Sequence, residues 1–173
     1  MASPRTYAEW LPLIDSFRGG DNNALAEMTG GTLEWTNVVA ERWTQHVGDC
    51  LNERLHALSR DFQRSLDRAA GDHLAMGNAM LAVRRTLEVL RQFCELKAAP
   101  VDVRQFLCSN VEAWATQTQQ SLERNALLVR HDQGRLLKTI RDHPLTARTP
   151  VSAPTIVPPE PQASPIRGRR VMF

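Results

Sequence analysis

The chain has 173 residues, 42% hydrophobic, 23% charged and 6% aromatic, with a formal net charge of +2, which is room for one soluble domain or a domain and a tail. No apolar run approaches the ~18 residues that span a bilayer, and Glu9, Pro12 and Asp15 interrupt the stretch that a signal peptide keeps apolar, so a cytoplasmic location is expected. Cys50, Cys94 and Cys108 include no CxxC pair, which argues against a disulfide scaffold and a zinc site.

Residues 3–17 read as a short helix. Thr6 and Glu9 have capping-box spacing, and Trp10, Leu13, Ile14 and Phe17 share a face. Pro12 removes one internal hydrogen bond. Gly19-Gly20 ends this element, a second short helix runs through Met28, and Gly30-Gly31 ends that one. Two glycine pairs make residues 1–31 a jointed helical arm.

Residues 13–99 contain no proline and have helix composition. The first long helix is expected over residues 32–70. Its apolar stripe is Trp35, Val39, Trp43, Val47, Leu51, Leu55, Leu58, Phe62 and Leu66. The mean step is close to 3.9 residues, so the stripe drifts around the helix, which must curve or change partners. A second helix over residues 73–98 has an a/d seam of Met76, Met80, Val83, Leu87, Leu90 and Cys94. In the turn that follows, either Pro100 takes the first helical position or Asp102 caps with Gln105. The third long helix then runs to His143-Pro144, with Leu107, Val111, Trp114, Leu122, Val129, Leu136 and Ile140 inward. Its polar middle, residues 116–121, is expected to protrude.

The fold expected is therefore all-α: an antiparallel bundle of three long helices over residues 32–143, a short N-terminal arm over 1–31, and a disordered Pro-rich tail over 144–173. Seven of the ten prolines lie at or after Pro144, a composition that favours extended chain over a core. The tail holds Arg148, Arg167, Arg169 and Arg170 against Glu160, which leaves residues 1–143 at a net of −1. That near-neutral body argues against a nucleic-acid-binding domain. At the end of the tail, Ile166 and Val171-Met172-Phe173 flank the three arginines of residues 167–170. The grouping has the form of a recognition peptide for a protein groove.

No nucleophile motif, HExxH or glycine-rich phosphate loop occurs. Glu53-x-x-His56 has the spacing of half a di-iron site, but no second ExxH accompanies it. No metal, cofactor or catalytic residue is expected. Cys94 and Cys108 flank the second turn, where a hairpin brings them near each other. A redox clasp is one reading; two small buried hydrophobes is the favoured one. On the arm, Trp10 and Phe17 read either as docking on the bundle, which is favoured, or as an apolar surface for a partner.

Over residues 85–137 the chain resembles the phasin family of polyhydroxyalkanoate granule proteins. The likeness rests on Leu87-Glu88-Val89-Leu90-Arg91-Gln92-Phe93, the turn Ala99-Pro100-Val101-Asp102, Phe106-Leu107, and Val111-Glu112-Ala113-Trp114 opening a Gln-rich helix. It implies a non-catalytic, helical, oligomeric protein that coats a polyester surface.

Three long helices leave more exposed seam than a monomer covers, so self-association is expected. The functional expectation is a structural or adaptor protein that self-associates and binds a hydrophobic surface or protein partner, with a granule coat as its narrowest form. The candidate contact residues are Trp10, Phe17, Trp35, Trp43, Trp114, Arg167, Arg169, Arg170 and Phe173. The alternative is a nucleic-acid-associated protein acting through the basic tail, by weak and salt-sensitive phosphate contacts.

Overall fold

The computed structural model describes residues 4–146, which are all-α: six helices and no strand. The tail from residue 147 onward, with its arginine cluster, lies outside the described residues.

Helix α1 (Tyr7–Arg18) starts where the Glu9 carboxylate accepts the Arg5 and Thr6 N–H groups, at 2.7 and 3.3 Å. Pro12 is tolerated on its exposed side. Trp10, Ile14 and Phe17 are fully buried, a spacing of four then three that puts all three on one face. Helix α2 (Asn23–Thr29) starts with the Asp21 carboxylate on the Asn23 N–H and buries Ala24, Leu25 and Met28.

Helix α3 (Asn37–Ala69) starts five residues later than the pattern suggests. Residues 31–35 serve instead as a strap: the Thr32 N–H donates to the Pro4 carbonyl, and the Trp35 indole N–H to the Ala98 carbonyl. Thr36 then caps the helix by accepting the Val39 N–H. The drifting stripe changes partners along a length of about 50 Å. Trp43 and Cys50 meet α1, while Ser59 meets the fifth helix.

Ala70 and Gly71 turn the chain with positive φ, and Asp72 caps helix α4 (His73–Cys94) through the Leu74 N–H. The expected seam from Met76 to Cys94 is buried throughout. The helix stops four residues early because residues 95–99 turn inward, burying Leu96, Ala98 and Ala99. Pro100 stands at the N-cap of helix α5 (Val101–Leu128), one position before the first of the two alternatives.

The third long helix does not reach residue 143. It ends at Leu128, residues 129–132 turn with Asp132 at φ +58°, and helix α6 (Gln133–Asp142) packs back on α4 and α5. The inward assignment of Leu136 and Ile140 survives because both are buried, but on a separate helix. The polar middle of α5 explains part of this. Gln119 hydrogen-bonds the Leu145 N–H at 3.2 Å and the Ile140 carbonyl at 3.4 Å, so it anchors the returning chain instead of protruding. Arg91 completes the closure by pairing with Glu112 and donating to the Leu145 carbonyl at 2.8 Å.

Candidate interaction surface

The tryptophans expected to form contacts divide sharply. Trp10, Trp43 and Phe17 are core residues, not surface anchors, with exposures of 0%, 1% and 0%. Trp10 packs edge-on against Trp43 at 5.0 Å and donates its indole N–H to the Thr32 carbonyl at 3.1 Å. Phe17 stacks on Phe93 at 4.3 Å, under the Arg54 guanidinium. The arm docks because its apolar face is long enough to be sealed by α3 and α4.

Trp35 and Trp114 are half-buried and reach solvent. Trp35 lies edge-on to Trp43 and lines a shallow cleft with Gly31, Thr32 and Pro100. Trp114 projects from α5 toward α3 and donates to Ser59 Oγ at 2.9 Å. It sits where two open clefts meet, about 300 and 470 Å³, both bounded by Ser59, Trp114 and Gln117. Together they form a groove along α3 and α5, extending from Asn52 to Leu66 on α3. At 1.5 Å per residue this is roughly 21 Å. Among the described residues, its polar lining is amides and hydroxyls, with His56 the only ionisable side chain. Such a lining suits an uncharged or amide-rich partner surface.

Sequence reasoning missed the outward apolar residues. Phe106, Leu127, Leu128 and Val129 are 56%, 58%, 81% and 42% exposed, and Leu74 is 68% exposed. A signal was present in the run from Ala126 to Val129, since four successive apolar residues on a helix cannot all face inward. Arg167, Arg169, Arg170 and Phe173 lie outside the described residues.

Among the described residues, no group of three or more His, Cys, Asp or Glu side chains is placed to hold a metal ion. Glu53 is exposed, its carboxylate 3.9 Å from Arg18, while His56 faces the groove. The Cys50 thiol lies 3.9 Å from the Ile14 carbonyl, and burial pushes its pKa up to about 11. Cys94 is buried and Cys108 half-buried, both as free thiols. Burial is the main cause that raises each of them. No described helix is long and apolar enough to cross a membrane. Compared with protein-family models, curated proteins and solved structures, the chain matches none.

Proposed function

We propose that this is a helical interaction protein that presents α5 to a second surface, either another copy of the chain or a hydrophobic partner. The observation that carries the reading is where apolar side chains remain in solvent. Of the eight large hydrophobic residues exposed among the described residues, five lie between positions 101 and 129. Val101 and Phe106 stand in the first turns of α5, Leu127 and Leu128 in its last, and Val129 at its C-cap, so the helix carries an apolar group at each end, and grouped apolar side chains favour association more than singly scattered ones do. Trp114 and the groove beside it lie on the same helix and supply an aromatic anchor of the kind that dominates binding energy.

In this reading the three long helices form an antiparallel bundle, with α1, α2 and α6 packed against it. A phasin-like coat on polyester granules is the narrowest form of the function, and the exposed apolar residues of α5 are what it uses. The test is adsorption to hydrophobic polymer particles, measured against a helical protein of equal net charge. Wild type should adsorb better than the control. The double variant L127Q/L128Q should lose that preference while melting within a degree or two of wild type, because both side chains already stand in water. Equal adsorption by wild type and control removes the surface-coating form.

A further inference from the structure

Two of the three cysteines are brought together by the register of α4 on α5. Arg91 of α4 pairs with Glu112 of α5, its Nη2 3.1 Å from Oε2. Three residues further along α4 and four residues back along α5, the same antiparallel register places Cys94 beside Cys108. The two thiols are near enough for each to shift the titration of the other, after burial as the main cause. Both are free. Cys94 is sealed at 2% exposure, whereas Cys108 packs at the core edge and is half-buried. Cys50 lies apart, on α3 against α1.

We propose that Cys94 and Cys108 are a dithiol oxidised by low-molecular-weight disulfides, such as oxidised glutathione, to an intramolecular bond joining the end of α4 to the start of α5. Cys108 is the entry thiol because it alone of the pair reaches the surface. Its thiolate attacks one sulfur of oxidised glutathione, forming a Cys108–glutathione mixed disulfide and releasing glutathione thiolate. Cys94 then loses its proton and attacks the Cys108 sulfur. The new Cys94–Cys108 bond forms as the second glutathione thiolate leaves. Overall, two protein thiols are oxidised and one glutathione disulfide is reduced to two glutathione thiols. The bond requires the sulfurs to close to the ~2.05 Å of a disulfide.

Burial holds both pKa values above the ordinary range, so exchange is slow at neutral pH and accelerates as pH rises.

The experiment equilibrates the folded full-length chain in glutathione redox buffers, quenches with acid, alkylates, and maps the products by mass spectrometry. The expected result is loss of two of the three alkylatable thiols, a single linked peptide pair containing Cys94 and Cys108, and a free Cys50. C94A should accumulate glutathione on Cys108 that never resolves, and C108A should take up no glutathione at Cys94. The wild-type pairing is readable even where a variant folds poorly. Three free thiols at the oxidising end overturn the proposal. So does a disulfide that includes Cys50, or wild-type glutathione that stays on Cys108 unresolved.

Discussion

Replacing Gly31 by Ala tests the docking of the N-terminal arm at its tightest point. A Cβ at this position would lie 2.3 Å from Trp10 Cζ2, and 2.8 Å from both Trp10 Cη2 and Pro4 Cγ. Carbon atoms rest at ~3.5 Å or more, so the indole must retreat by about 1.2 Å from the closest atom. It has nowhere to go. Trp10 is fully buried, lies edge-on to Trp43 and is held by its bond to the Thr32 carbonyl. Overpacking of a sealed core costs about 1–3 kcal/mol, and breaking the indole hydrogen bond adds about 1 kcal/mol. With an m-value of about 2 kcal/mol/M, a loss of about 2–4 kcal/mol lowers the urea midpoint by roughly 1–2 M. Tryptophan fluorescence follows the transition directly. Gly48→Ala is the control, since no atom lies within 4 Å of its added Cβ and its site is mid-helix. It should gain up to about 1 kcal/mol from helix propensity. If Gly31→Ala unfolds at the wild-type midpoint, the arm is not seated on Gly31 and the docking geometry is wrong.

Ala70 holds φ +48° on the exposed turn after α3, a conformation that costs an L-residue about 1 kcal/mol or more. Ala70→Gly should therefore stabilise by roughly 0.5–1 kcal/mol, read as a rise in urea midpoint. Arg91→Met removes the link from α4 to Glu112 and to the Leu145 carbonyl. It should cost about 1–2 kcal/mol, visible as a drop of several degrees in melting temperature. Cys50 titrates near 11 when folded but near 8.5 when unfolded. A raised folded value means its contribution is complete below the unfolded pKa and is lost as pH rises through about 9–11. Melting temperature should therefore fall less steeply over that window in Cys50→Ala than in wild type.

The helical seams were legible because they depend only on spacing. Met76 to Cys94 repeats in fours and threes, and every member is buried. The reversal at residues 129–132 was not legible for the same reason. Val129, Leu136 and Ile140 keep helical spacing straight through it, with no proline and no glycine before Gly134. At the break, the Gln133 side chain donates locally to the Leu127 carbonyl, and the tertiary part is the packing of Leu136 and Ile140 back toward α4 and α5. Gly77 eases that approach, since a Cβ there would touch Thr139 and His143. At the N-terminus, pattern reading finds the apolar face of Trp10 and Phe17 but not what covers it. The Gly30-Gly31 pair read as a joint, yet Gly31 is the slot that admits the Trp10 ring. The groove was half legible. Trp114 stood out by type and His56 only by a metal-ligand spacing, whereas Ser59 and Gln117 carry no signal until α3 and α5 lie side by side.

Sedimentation velocity across micromolar concentrations is the most direct measure of whether α5 is an association surface, comparing wild type with L127D/L128D. Leu127 and Leu128 are 58% and 81% exposed, so charging them leaves the fold intact while opposing burial against an apolar surface. The account predicts a weight-average mass that rises with concentration for wild type and stays at the monomer value for the variant. A wild-type chain that remains strictly monomeric, or a variant that associates just as strongly, contradicts it.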